Sequence, residues 1–95
     1  MNIRFNAEAA EVLKGFAAEQ PNKVIKLKVL SRGWGKPALG LALEERRDND
    51  IVRIIEGVTF AASPEEELEL KNVEILYSPY YINHGFYVRA FSGRR

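Results

Sequence analysis

The amino-acid sequence predicts an α+β fold in which mostly antiparallel strands carry two packed helices. One apolar stripe at helical spacing stands near the N-terminus, and a second helix-start signal stands at Ser63. Most of the remaining chain alternates apolar and polar residues with a period of two, as strands do. The predicted order is strand, helix, four strands, short helix and two strands, an order typical of helices packed on antiparallel sheets.

The chain begins with a predicted strand and helix. Ile3 and Phe5 alternate with polar neighbours. Asn6 is a favourable N-cap, and Glu8 stands in the first turn, where the helix dipole favours negative charge. Pro21 ends the helix because proline cannot continue the hydrogen-bond ladder. The helix is expected to bury one stripe, formed by Ala9, Val12, Leu13, Phe16 and Ala17.

Two strands then flank a glycine-rich loop over residues 31–37. In the first strand, Ile25 and Leu27 are expected to face inward, with Lys26 and Lys28 on the opposite face. The second strand has leucines on one face and small residues on the other. Another backbone or the helix is expected to approach this small face closely; its residues are Ala38, Gly40 and Ala42.

The second half of the chain continues with a polar turn over 46–50 and further strands. Ser63, Pro64 and Glu66 match a capping box, with serine at the N-cap, proline at the first helical position and glutamate at the third. This short helix is predicted to end near Leu70. The predicted strands of this half are residues 51–56, 58–62, 73–77 and 86–91.

Composition narrows the class of protein. A chain of 95 residues makes one domain, assigned to residues 1–91, with a mobile tail over 92–95. Its 14 basic and 13 acidic residues leave a net charge of +1, which argues against nucleic acid and anionic membranes as partners. No signal peptide and no apolar run of membrane-spanning length is visible, so a cytoplasmic location is expected. The absence of cysteine excludes disulfides, thiolate nucleophiles and cysteine-ligated metal clusters.

The loop over 31–37 carries the first candidate binding residues. Its glycine-lysine sequence lacks the spacing of a phosphate-binding loop and leads into a strand, so a turn is the favoured interpretation. Trp34, flanked by two glycines, is either an exposed recognition contact or a cover over the core. Lys36 belongs to the same candidate surface.

Other polar residues suggest chemistry only weakly. His84 is the single histidine and cannot form a metal site alone, while Asp48 and Asp50 are expected in a solvated turn, although they could hold a hard cation weakly. The glutamates of residues 65–69 are explained by helix capping and the helix dipole. No nucleophile–base pair is visible, so no catalytic residue is assigned and a non-enzymatic protein is expected.

Two clusters admit a binding role. A local basic face would form if the strands and turns carrying Lys23, Lys26, Lys28, Lys36, Arg46 and Arg47 were neighbours. Half of the ten aromatic residues fall within eleven positions, where core packing and a partner-binding surface are both open interpretations; these are Tyr77, Tyr80, Tyr81, Phe86 and Tyr87.

The order of these segments also carries a family resemblance. The segments are residues 6–14, 25–29 before the glycine loop, 50–52 with 56–58, 73–77 and 85–88. Together they resemble the HesB-like, A-type iron–sulfur cluster biosynthesis family from Met1 to about Phe91. The resemblance implies a compact β-sandwich of mixed, mostly antiparallel strands with one N-terminal and one short central helix. It also implies a setting in iron–sulfur assembly.

The chain departs from the family at its cluster ligands. In the family a cysteine directly follows the first glycine of the loop, and here Trp34 stands there. The family's other two cysteines lie in a Cys-Gly-Cys tail, whereas residues 92–95 here contain none. No cofactor and no metal ligand is therefore assigned.

The resulting functional hypothesis is a cysteine-less HesB-like domain that acts by binding a protein or a small ligand. Homo-oligomerisation stays open because the alternating strands leave room for an exposed sheet edge. The alternative is residual binding of iron or another divalent metal through His84 and carboxylates. The expected binding surface consists of Trp34, Lys36, Tyr80, Tyr81, His84 and Tyr87.

Overall fold

The computed structural model describes residues 1–31, 38–80 and 85–91. The predicted tail over 92–95 lies outside these residues. Within the described ranges the chain forms, in order, β1 (Asn2–Phe5), α1 (Ala7–Glu19), β2 (Lys23–Ser31), β3 (Ala38–Glu45), β4 (Ile51–Ile55), β5 (Val58–Ala62), α2 (Pro64–Glu67), β6 (Asn72–Tyr77) and β7 (Phe86–Ala90). The predicted order of elements is confirmed.

The strands form two mixed sheets. The small sheet has the order β1-β6-β7, and the large sheet has the order β3-β2-β5-β4. The β1–β6 and β2–β5 pairs are parallel, and the other three pairs are antiparallel. The two sheets meet where β3 contacts β7, and α1 contacts β2, β5 and β6. The α+β class is confirmed.

Helix α1 closes the core between the two sheets. The Asn6 side chain accepts a hydrogen bond from the Ala9 backbone N–H at 2.9 Å and caps the helix as predicted. From the predicted apolar stripe, Ala9 and Leu13 are fully buried, while Phe16 packs at the edge of the core. The largest fully buried side chains come from both sheets, α1 and the segment after α2: Phe60, Leu13, Leu27, Leu70, Ile75, Val58 and Val73.

Strand β2 is buried on both of its faces over part of its length. Lys26 faces away from Ile25 and Leu27, as expected. All four consecutive residues from Val24 to Leu27 are nevertheless buried, so the face that carries Lys26 is covered as well. A register shift between Val29 and Ser31 marks a bulge. The small face of β3 is approached by a side chain of β2 rather than by a backbone, since a Cβ added to Gly40 would lie 2.8 Å from Leu30 Cδ1.

The two short connections of the second half follow their local chemistry. Glu56 and Gly57 join β4 to β5 with φ values of 52° and 82°, the left-handed backbone of a tight hairpin turn. Ser63 Oγ accepts a hydrogen bond from the Glu66 N–H at 3.2 Å, as the capping box predicts. Helix α2 ends at Glu67, earlier than predicted, because the next hydrogen bonds span three residues instead of four.

Candidate functional site

The predicted binding surface is only partly described. Tyr80 is 93% exposed in the connection after β6, and Tyr87 on β7 is 50% exposed. These two residues, at one end of the β6–β7 hairpin, are called the tyrosine surface below. The other four predicted surface residues lie outside the described residues: Trp34, Lys36, Tyr81 and His84.

Tyr77, Phe86 and Gly85 pack together in the hairpin that carries the tyrosine surface. The rings of Tyr77 and Phe86 meet edge to face with centroids 5.1 Å apart. Gly85 adopts a φ of 91°, and a Cβ there would lie 2.5 Å from Tyr77 Cε1. The Ser78 N–H donates to the Gly85 carbonyl at 2.9 Å. The aromatic cluster thus divides into a core part, with Phe86 buried and Tyr77 packed against the core, and an exposed part, with Tyr80 and Tyr87.

The two segments that carry the other predicted surface residues each precede a strand at the contact between the sheets. Residues 32–37 lead into β3, and residues 81–84 lead into β7. Strands β3 and β7 contact each other where the two sheets meet. The tyrosine surface lies on the same hairpin as the second segment.

The outer face of the small sheet carries a row of charges. Glu74 lies between Arg4 and Arg89 in register. Arg89 Nε donates to Glu74 Oε1 at 2.8 Å, and Arg4 Nε lies 3.3 Å from Glu74 Oε2. The hydrogen bond from Arg89 and the two arginine charges hold the pKa of Glu74 below its ordinary value, against the effect of burial. The Arg4 guanidinium also stacks 3.7 Å from the Phe91 ring centroid.

The large sheet contains a buried ion pair. Lys26 Nζ lies 2.7 Å from Asp50 Oδ2, and their side chains are 5% and 0% exposed. In register, Lys26 lies between Ala42 of β3 and Ala61 of β5. These small neighbours leave room for the lysine side chain on the sheet face that turns away from Phe60.

The sequence predicts that Asp50 lies in a solvated turn, and this prediction is wrong. The turn folds the Asp50 side chain onto the sheet, where it is buried. Burial alone would raise the pKa of Asp50, but hydrogen bonds from Lys26 and the Arg47 N–H, with the charges of both residues, lower it below its ordinary value. Asp50 Oδ1 is buried and has no hydrogen-bond partner among the described residues. The sequence gives one indication that Lys26 is buried, which is the apolar run around it. Such a run is typical of a strand covered on both faces.

A polar cleft of about 330 Å³ lies over this ion pair. On one side, Lys28 pairs with Glu44. On another, Glu66 accepts a hydrogen bond from the Val29 N–H at 2.9 Å, beyond the residues where β5 pairs with β2. The residues that line the polar cleft are Lys26, Lys28, Glu44, Arg47, Asn49, Asp50, Ser63, Glu65 and Glu66.

This arrangement corrects the hypothesis of a basic face. Lys26 and Lys28, its central members, are each paired with a carboxylate, and four acidic side chains line the same cleft. The glutamates of the short helix have structural partners as well. The Glu66 carboxylate accepts a hydrogen bond from the hydroxyl of the N-cap Ser63 at 3.0 Å, and the Glu67 carboxylate lies 3.5 Å from the amino group of Met1.

The described residues do not fit an iron–sulfur cluster or another metal centre. No group of three or more His, Cys, Asp or Glu residues within 1–31, 38–80 and 85–91 could hold a metal ion. The whole sequence contains no cysteine. In the same part of the chain, neither helix has the length and apolar character needed to cross a membrane.

Comparison with known proteins gives structural matches only. No family model matches the sequence, and no curated protein matches it. Escherichia coli SufA, which is involved in biosynthesis of iron–sulfur clusters, superposes with a TM-score of 0.71 at 16% identity, over 94% of this chain and 80% of SufA. A protein from Aquifex aeolicus, solved by solution NMR, has a TM-score of 0.59 at 23% identity, over 92% of this chain and 89% of that one.

These similarities define the class of the protein by its fold. The chain has the SufA fold, and the HesB-like architecture that the resemblance implies is confirmed. The cysteines of the resemblance are absent from this chain, so the fold occurs here without the residues that would ligate a cluster.

Proposed function

We propose that this chain is a non-enzymatic HesB-like binding domain that contacts a protein partner in the cytoplasm. The partner-binding region is the tyrosine surface together with Trp34, Lys36, Tyr81 and His84 of the adjoining segments. The similarity to SufA supports a setting in iron–sulfur assembly, where this domain would act by contact rather than by carrying a cluster.

The exposure of Tyr80 carries this proposal. A tyrosine that is 93% exposed has its whole ring available for a partner, and Tyr87 adds a second half-exposed ring on the same hairpin. Tyrosine is enriched in interfaces because one ring supplies apolar area and its hydroxyl supplies a hydrogen bond. Tyr77 and Gly85 fix the hairpin below, which reduces the ordering cost of binding.

The charged groups support binding rather than acid–base catalysis. Asp50 and Glu74 both have a lowered pKa, so they stay ionised near neutral pH. General acid catalysis by a carboxyl needs the opposite shift. Asp50 Oδ2 is held by Lys26, and Asp50 belongs to no group of three or more metal-ligating residues among those described. The metal-binding alternative therefore gains no support from the described residues.

A quantitative capture experiment tests the proposal. The wild-type chain, the double variant Tyr80→Ala/Tyr87→Ala, and Trp34→Ala are immobilised and exposed to lysate of the source cell, and captured proteins are quantified by mass spectrometry. Ile54→Ala is the matched control, because Ile54 is 70% exposed on β4 of the other sheet. We expect the tyrosine and tryptophan variants to lose the same specific partner that wild type and Ile54→Ala retain. Equal capture by all four proteins would overturn the proposal.

A further inference from the structure

We propose that the polar cleft is a second binding site, independent of the tyrosine surface, for a small zwitterion that carries an ammonium group and a carboxylate, as a free amino acid does. Asp50 is one of the residues that line the cleft. Asp50 is 9% exposed, its Oδ2 atom is held by Lys26 and the Arg47 N–H, and its Oδ1 atom has no partner among the described residues. A buried carboxylate oxygen requires a hydrogen-bond donor.

The unpartnered Oδ1 atom specifies one end of the ligand. Asp50 is ionised, since its pKa lies below the ordinary value, so a donor with positive charge satisfies it best. A primary ammonium group supplies three N–H donors. Glu65, which is exposed on the same lining, is a second carboxylate that can accept from an ammonium group.

The charges around the cleft specify the other end of the ligand. Three cationic and four anionic side chains line it, which disfavours a simple anion such as phosphate and a simple cation alike. Arg47, Lys28 and the Asn49 amide also line the cleft and can donate to a carboxylate. A ligand with both charges therefore meets groups complementary to each charge in this lining.

Size and access agree with a small ligand. A cleft of about 330 Å³ has room for a free amino acid but lies at the small end of the range for drug-sized molecules. Because Oδ1 is not exposed, binding requires a lining side chain to move. Lys28 and Glu44 are 36% and 37% exposed, and their long side chains can separate without disturbing the backbone of β2 or β3.

The test uses three probes on the full chain: glycine, methylamine and acetate. Titration is followed by NMR shifts of backbone amides in residues 47–50 and 63–66. Glycine is expected to bind at least about tenfold more tightly than either single-charge probe, because each of those lacks one of the two ends. Inorganic phosphate serves as a fourth probe for a plain anion site.

Two matched pairs of variants locate the site. Arg47→Gln is expected to weaken glycine binding about tenfold, while Arg46→Gln, an exposed neighbour outside the cleft lining, leaves it unchanged. Asp50→Asn is compared with Asp48→Asn in the same way. If Asp50→Asn does not fold, the arginine pair decides, because both arginines are exposed.

Three outcomes would overturn the inference. One is the absence of a saturable shift with glycine, which would leave an ordered water as the partner of Oδ1. Another is tighter binding of phosphate, acetate or methylamine than of glycine. The third is equal loss of glycine binding in Arg46→Gln and Arg47→Gln. None of these outcomes bears on the tyrosine surface, which the capture experiment tests separately.

Discussion

The two sheets of this protein differ in how far their charged side chains are buried. In the large sheet, Lys26 and Asp50 form a pair whose side chains are almost wholly buried. In the small sheet, Glu74 lies between Arg4 and Arg89, whose side chains remain more than half exposed. Because these arginines are largely solvated, the ion pairs of the small sheet are expected to add little to stability. Lys26 and Asp50 need each other, because a single buried charge without its partner greatly lowers the free energy of unfolding.

Breaking the buried pair gives the largest expected effect. Asp50→Asn leaves the Lys26 ammonium buried without its counter-charge, which costs about 3–5 kcal/mol of the free energy of unfolding. Asp48→Asn, in the same turn but exposed, should change stability by less than about 0.5 kcal/mol. Urea denaturation of both variants measures the difference. Equal stability of the two variants would show that the ion pair is not buried as described.

A backbone change in the small-sheet region should have an intermediate effect. Gly85→Ala places a methyl group against Tyr77 and forces alanine into a positive φ, which should cost about 1–3 kcal/mol. Gly15→Ala is the contrasting control, since it lies in α1 with nothing within 4 Å and should stabilise by about 0.5–1 kcal/mol. Thermal unfolding of the two alanine variants should therefore shift in opposite directions.

Removing the exposed charge row should cost least. Glu74→Gln eliminates both arginine pairs at the surface and should lower the free energy of unfolding by about 0.2–1 kcal/mol. The loss should shrink further in high salt, because exposed pairs are screened. If Glu74→Gln lowered the free energy of unfolding as much as Asp50→Asn does, the exposed and the buried ion pairs would not differ as described.

The pH dependence of stability sharpens the same contrast. Both carboxyls have a folded-state pKa below the ordinary value, so each stabilises the fold above its unfolded pKa. That contribution is lost as pH falls through the folded pKa values. Unfolding free energies measured downward from pH ~7 should fall with acidification in the wild type, and less steeply in Glu74→Gln. An unchanged slope in the variant would show that Glu74 does not contribute.

The sequence predicted the elements of this fold better than the environment of its polar residues. The N-cap at Asn6, the helix stripe and the capping box at Ser63 are local patterns, and each formed as expected. The burial of Lys26 depends on which strands flank β2 and on where the turn over 46–50 folds. Periodicity does not encode either of these. Alternation predicts that a lysine between Ile25 and Leu27 is exposed. Its burial can be inferred only when the positions of both neighbouring strands are known.

For the candidate binding surface, too, the sequence predicted the residues better than their environment. The sequence identified the aromatic cluster, but its separation into core and exposed rings depends on the register that pairs Tyr77 with Phe86. Tyr80 and Tyr87 are the members that the structure places outward. The resemblance implied the architecture, and the absence of cysteine follows directly from the sequence.

Reconstitution with iron and sulfide tests most directly the proposal that this SufA-like fold acts by contact without a cluster. The purified chain is incubated anaerobically with both, desalted, and examined by absorption spectroscopy and iron analysis. We expect a colourless protein without stoichiometric iron. A stable chromophore with iron bound in proportion to the chain would contradict the proposal.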